Sequence, residues 1–188
     1  MDSLGGRTAW AAMGLAIAPL VWIGGSTARA AASHEYPVIK AQAQLYDGQG
    51  RFRGVAVLWQ GSGGVSVTVD LQGMDAGAYG IHVHETGKCD KPRFESAGAH
   101  WNPKGRRHGS LNRRGAHRGD MANVTVPTGE QGYQFEIRKA RLASGDFPML
   151  DSDGAALVIH AEPDDYKTDP SGNSGERMVC GAIEPIHP

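Results

Sequence analysis

Apolar and polar positions alternate along much of this chain, the two-residue period of a strand that buries one face. The alternation runs from Tyr36 to Tyr46, from Phe52 to Trp59 and, most cleanly, through Val65, Val67, Val69 and Leu71. Between these runs stand DGQG at 47–50, GSGG at 61–64 and GMDAG at 73–77, residues that favour tight turns. Further strands are expected at 79–85, 121–127, 132–138, 155–160 and 177–183, which brings the number to eight. No segment after residue 30 sustains a helical period, and no internal repeat is visible. The pattern predicts an all-β fold, an eight-stranded antiparallel Greek-key barrel or sandwich.

Two long stretches fall outside the pattern. Residues 86–120 are rich in Gly, Pro, Arg and His, and 161–176 separate the last two expected strands. A loop as long as the first is unusual inside a compact domain unless it carries function. Ordering it costs on the order of 1 kcal/mol or more per residue, so something must offset that cost. A bound metal and a crosslink are the two candidates that the sequence offers.

The first thirty residues belong to a different regime. After Arg7, residues 8–28 carry no charge and are mostly apolar, and they end in Ala28-Arg29-Ala30. This is the three-part pattern of a secretory signal peptide, expected over 1–30 with the working domain over 31–188. Retention as a membrane anchor is the alternative, but Pro19, Gly24, Gly25 and Ser26 and the small-residue end favour cleavage. The only cysteines, Cys89 and Cys180, lie too far downstream for a lipid anchor. No stable membrane association is expected after cleavage, and the expected destination is the periplasm.

Without residues 1–30 the chain has 17 basic and 19 acidic residues, a formal charge of −2. That balance argues against nucleic acid as a partner. Two cysteines in an exported chain most economically form one disulfide; two buried free thiols are the alternative. Closing a loop of this length stabilises a fold by roughly 4–5 kcal/mol on the chain-entropy view.

The histidines add chemistry to this scaffold. They fall at 34, 82, 84, 100, 108, 117, 160 and 187, and the six inner ones lie on strand ends or in the long loop. His82 and His84, in GIHVHETGKC, are two positions apart and therefore share one face of a strand. Singly, an HxH pair or an HxxD such as His117/Asp120 is a weak signal, and a lone His at a strand end is ordinarily a hydrogen-bonded surface residue. Six imidazoles and a carboxylate converging on one loop exceed what a single ion takes. Zinc takes four donors in a tetrahedron and copper(II) a tetragonal set of nitrogens. One shared imidazole would let seven residues fill both sites, which predicts a binuclear centre.

The order GIHVHE, AGAHWNP at 97–103, His108-Gly109, HRGDMANVT at 117–125, VIHAEPDD at 158–165 and GNSGERMVCGAI at 172–183 resembles copper/zinc superoxide dismutase, especially its secreted bacterial members. The resemblance covers essentially the whole of 31–188. It implies one copper per chain, held by His82, His84, His100 and His160, and one zinc, held by His100, His108, His117 and Asp120. His100 would then bridge the two ions. It further implies that Asp164 links His82 to His108, that Cys89 and Cys180 form the family's disulfide, and that Arg177 guides the substrate anion. Superoxide is the implied substrate, disproportionated to O₂ and H₂O₂ by one-electron cycling at copper, with His100 and Arg177 as the catalytic side chains. A homodimer is compatible with the sequence but not fixed by it.

Other residues are read plainly. Trp59, Trp101, Phe52, Phe135 and Met121 are expected to pack, and Glu85 to point away from the His84 face. Ser171 stands where many members of the family carry threonine at the channel wall. Because 161–176 brings no net positive charge, Lys88, Lys91 and Arg93 are the candidates for attracting an anion. Two rival functions differ in class. One is a non-enzymatic periplasmic copper/zinc binding or buffering protein, which needs no anion-guiding arginine. The other is a zinc hydrolase, which needs a carboxylate base that the sequence does not supply.

Overall fold

The computed structural model describes residues 40–127 and 131–186. The expected signal segment, His34 and His187 lie outside the described residues. Ten strands follow in chain order: β1 Lys40–Asp47, β2 Phe52–Gln60, β3 Gly64–Leu71, β4 Gly77–Tyr79, β5 Ile81–His84, β6 Val124–Val126, β7 Gln131–Arg138, β8 Ala156–His160, β9 Arg177–Ala182 and β10 Glu184–Pro185. The only helical segment among the described residues is a single 3₁₀ turn, Glu95–Ala97.

Every pairing is antiparallel, and the large sheet runs β5-β8-β9-β1-β2-β3-β7 with β10 also on β1. A short ribbon, β4-β6, stands beside it. All eight expected segments hold strands. The count rises because 79–85 divides at Gly80: β4 pairs with β6, whereas β5 pairs with β8. β10 is only two residues long, too short for a period to show.

The alternation does what a half-buried strand requires. In β1, Ala41, Ala43 and Leu45 are fully buried; in β3, Val65, Val67 and Val69 are; they meet Leu58, Ile81, Val83, Leu157 and Ile159 in one core. Trp101 and Met121 join that core, and Phe135 packs against it. Phe52 and Trp59 correct the expectation of packing. They sit on the outer face of β2, 43% and 39% exposed. Phe52 meets the Tyr46 ring edge-on and Trp59 lies under the Lys40 ammonium. Trp59 is out of phase with the buried Gly54, Ala56 and Leu58, whereas Phe52 leaves their phase at a register shift between β1 and β2, where Leu45 pairs with Gly54 but Tyr46 pairs with Phe52.

β5 is buried on both faces. Ile81 and Val83 enter the core, while His82 and His84 face the opposite way, beneath the long loop. The loop also completes the strand's free edge: Val83 N donates to Gly119 O at 2.9 Å and Val83 O accepts from Trp101 N at 2.8 Å. An edge strand is thereby covered and its backbone groups are paired. At its start the loop is fastened by the Cys89–Cys180 disulfide, whose two ends are 91 positions apart in sequence. Phe94, buried to 1% exposure, packs beside it on Ala156, Val158 and Cys180. Crosslink and apolar anchor together offset part of the loop's ordering entropy.

Candidate metal centre

Strand β5, the end of β8 and three points of the long loop bring six imidazoles together, all of them buried. Their donor atoms form two groups in which every ligand atom lies within 4.8 Å of the others: His82, His84, His100 and His160, and His100, His108, His117 and Asp120. His100 belongs to both. Its ring lies 3.9 Å from that of His82 and 4.9 Å from that of His84, centroid to centroid.

Hydrogen bonds decide which nitrogen of each ring is free. His82 donates from Nε2 to Asp164 Oδ2 at 2.8 Å, which leaves Nδ1 buried without a partner. His84 donates from Nδ1 to Gly98 O at 2.9 Å, and His160 donates from Nδ1 to Gly175 O at 3.3 Å. The Nε2 atoms of these two rings then face each other at 3.4 Å. His108 donates from Nε2 to Asp164 Oδ1 at 2.9 Å, so its Nδ1 is the free one. Fixing one nitrogen as donor leaves the other as a lone pair aimed inward, as a metal requires.

On the second group the geometry is specific. The Nδ1 atoms of His100, His108 and His117 lie 3.0, 3.2 and 3.3 Å from Asp120 Oδ1. A tetrahedral zinc with bonds of about 2.0–2.1 Å separates its donors by roughly 3.3–3.4 Å. These four atoms therefore fit that ion. Asp120 is held in place by its other oxygen, which accepts from the backbone N of Gly109 and of His117, each at 2.9 Å. His100 Nε2, on the far side of the ring, is buried and unpartnered. Four orphaned imidazole nitrogens would be costly in a core without a cation to receive them.

Electrostatics in the metal-free centre follow from the same contacts. Burial chiefly, together with neighbouring imidazoles, pulls His100 down to about 4, His160 to about 3 and His84 well below the ordinary imidazole value. These rings are neutral and ready to ligate. For His108, burial works against the proton, but the Asp120 and Asp164 carboxylates beside its two nitrogens outweigh it and raise the metal-free ring to about 9, so a metal taking Nδ1 displaces a proton there. Asp120 and Asp164 are both depressed well below the carboxylate range: burial opposes this, and the imidazole hydrogen bonds prevail. Both carboxylates stay charged at any physiological pH.

Arg177 begins β9 at the rim of the first group. Its Nη1 donates to Phe94 O and its Nη2 to Gly98 O, each at 2.6 Å. Gly98 O thus aligns both His84 and Arg177. The guanidinium remains partly exposed in a pocket of about 730 Å³ that also holds Arg93 and Gly175. Of the three cations expected to attract an anion, Arg93 is paired with Glu95. Glu85 turns away from the imidazoles and accepts from Ala99 N at 3.0 Å. Ser171 contributes its carbonyl, which accepts from Ser174 Oγ at 2.7 Å.

Several supporting groups have no sequence signature. The Phe94, Gly98 and Gly175 carbonyls come from the backbone, which any residue supplies. Asn123 grips Asp164 at both backbone groups, 2.8 and 2.9 Å, and Asp169 accepts from His108 N at 2.6 Å. Gly172, with φ +67°, offers a clue: a β-carbon there would overlap Asp164 Oδ1 and stand 2.6 Å from His108 Nε2. A Gly a few residues from an acidic position in a loop signals close approach, but not to what.

Comparison with known proteins places these features in context. The family model described as copper/zinc superoxide dismutase (SODC) matches residues 52–183. A curated relative from Aquifex aeolicus, superoxide dismutase (Cu-Zn) 2, is 41% identical over 148 residues, 77% of this chain and 86% of its own. The Cu-Zn superoxide dismutase of Caulobacter vibrioides is 35% identical over 149 residues, 77% of this chain and 85% of its own. Among solved structures, a double mutant of a superoxide dismutase-like protein from Bacillus subtilis superposes with a TM-score of 0.72. It is 37% identical and covers 75% of this chain and 95% of its own.

Proposed function

The chain belongs to the copper/zinc superoxide dismutase family, and we propose that its enzymatic centre is assembled from Nδ1 of His82 and Nε2 of His84, His100 and His160 for copper. Nδ1 of His100, His108 and His117 and Oδ1 of Asp120 would hold zinc. The observation that carries this assignment is His100, which lies in both donor groups with one nitrogen beside Asp120 and the other orphaned. When bound, copper supplies the electron relay between two superoxide ions, one leaving as O₂ and the other, with two protons, as H₂O₂.

The chain's own groups do the rest. Arg177 receives the anion: its two hydrogen bonds to Phe94 O and Gly98 O fix the guanidinium plane, and the residue lines an open pocket. Burial lowers its proton affinity below the usual guanidinium value, with Glu95 opposing, yet a guanidinium keeps its charge at any physiological pH. His100 Nε2 holds a proton between the two half-reactions and yields it to the departing peroxide, while Nδ1 stays beside Asp120. Asp164 ties the two donor groups into one unit by holding His82 and His108.

Residues 1–30 direct export and are removed, and the domain over 31–188 acts outside the cytoplasm. The Cys89–Cys180 disulfide supports an oxidising compartment. The described residues contain no helix long and apolar enough to cross a membrane.

Arg177 supplies the test. Arg177→Glu should lower superoxide turnover by about 10-fold or more, since a like charge now meets the anion. Inhibition by azide should weaken, with copper and zinc still at one each per chain. Unchanged turnover at full metal content would remove Arg177 from the reaction.

A further inference from the structure

A second concave surface lies away from the Arg177 mouth and shares none of its lining. It is a pocket of about 930 Å³ between the tip of the long loop and β7, with Lys104, Arg106, Arg107, Arg114, Arg118 and Arg138 around it. We propose that this pocket binds a small anion carrying two or more phosphate groups.

Residues 96–119 contain no carboxylate, whereas 104–118 contain one lysine and five arginines. The chain as a whole is −1, so everything outside that segment sums to −7. A run of surface cations is ordinarily dispersed or neutralised by neighbours. Here none of the six lining cations enters an ion pair among the described residues. The two carboxylates in the wall are engaged elsewhere: Glu136 accepts from Ser66 Oγ at 2.8 Å, and Asp120 is ringed by imidazoles.

The loop's backbone is also fixed where it presents these cations. Asn102 holds Arg106 from both sides, its Nδ2 donating to Arg106 O at 2.8 Å and its Oδ1 accepting from Arg106 N at 2.9 Å. Arg107 N donates to Arg114 O at 3.1 Å, which sets those two side by side, and the Arg118 guanidinium is tied to Lys139 O. Like charges gathered around one concavity without counter-ions cost free energy that a bound counter-charge would recover.

Arginine forks match phosphate oxygens two at a time, and several forks around one concavity exceed what one phosphate accepts. Superoxide, a diatomic anion of single charge, has no use for six. A long polynucleotide is disfavoured because the surface beyond the segment is acidic. The ligand chemistry is therefore a compact polyphosphate, either free or displayed on a lipid headgroup.

Calorimetric titration of the metal-loaded mature protein with sodium tripolyphosphate tests this, with copper and zinc content measured afterwards. The comparison is between R106Q/R114Q/R138Q and a control, K40Q/K88Q/K91Q, that removes equal charge elsewhere. The expected result is one tripolyphosphate per chain, with affinity reduced about tenfold or more in the pocket variant and less than about twofold in the control. If the pocket variant loses metal, R106Q alone, at an exposed side chain held through its backbone, must still weaken binding. Vesicles containing cardiolipin, whose headgroup carries two phosphates, form a second arm: binding displaced by tripolyphosphate and lost in the pocket variant assigns the phosphates to lipid, and vesicles left unbound assign them to a soluble ligand. The proposal is overturned by no tripolyphosphate binding, by equal loss in both variants, by heat that tracks zinc release, or by tighter binding of a 20-nucleotide strand.

Discussion

At the scale of single residues, the centre works by pairing each imidazole with a group that uses up its other nitrogen. Asp164 does this twice, for His82 and His108, and is itself gripped by Asn123 and by the backbone N of Tyr166. Replacing Asp164 with Asn keeps the shape but removes the charge and one acceptor, so the two rings lose their shared orientation. Groups in this role typically contribute 10–100-fold to metal affinity. Asp164→Asn should lose copper and zinc to a chelator about 10–100 times more readily, and unchanged metal retention would show that the ring orientations do not depend on it. How readable such residues are depends on their chemistry. The ligating histidines are conspicuous because imidazole is a scarce side chain and HxH fixes a face. The carbonyls of Phe94, Gly98 and Gly175 do as much positioning and leave no trace, since the backbone is the same everywhere.

Elements were legible wherever one face met the core. The alternation in β1, β2 and β3 reads directly as strands, and these three supply nine of the 25 buried residues of the main core. It failed where length or covering decided the matter: β10 is too short to show a period, and the outward Phe52 and Trp59 keep an apolar identity without a cover. The long loop could be read only as an anomaly awaiting a reason. Its reason lies in tertiary contacts, because it seals the edge of β5 and hangs on Cys180 and on Phe94. Phe94 couples packing to chemistry, since its ring anchors the loop while its carbonyl orients Arg177. Phe94→Ala should destabilise the protein by about 3–5 kcal/mol, the usual cost of emptying a buried aromatic site. It should also lower turnover per bound copper, because the Arg177 acceptor shifts with the loop. Loss of stability alone, with turnover per copper intact, would separate the two roles.

For the molecule as a whole, the centre is a dense set of titrating groups that metal ordinarily holds in check, so the metal-free protein should be strongly pH-dependent. His84, His100 and His160 have folded values below the ordinary 6.5, so the unfolded chain binds more protons as pH falls below that point. Their contribution is complete above 6.5 and is lost on acidification toward 4 and 3. Asp120 and Asp164, depressed by their imidazole partners, contribute above the unfolded carboxylate value near 4, and that contribution is lost only at still lower pH. His108 runs the other way: raised to about 9, it stabilises the fold below 6.5 and loses that contribution as pH rises through 9. Stability of the metal-free protein should therefore peak near pH 6.5. It should fall steeply on the acid side, by up to roughly 4 kcal/mol per pH unit with three imidazoles titrating together, and gently on the alkaline side with one. Urea unfolding of the metal-stripped protein between pH 4 and 9.5 measures this curve. A profile flat between 4.5 and 6.5 would mean that the three rings are hydrated without metal and that the metals, rather than the strands and the disulfide, assemble the pocket. Restoring copper and zinc should move the acid flank to lower pH, since each ion binds the folded donor set and adds its binding free energy to the stability of the native state.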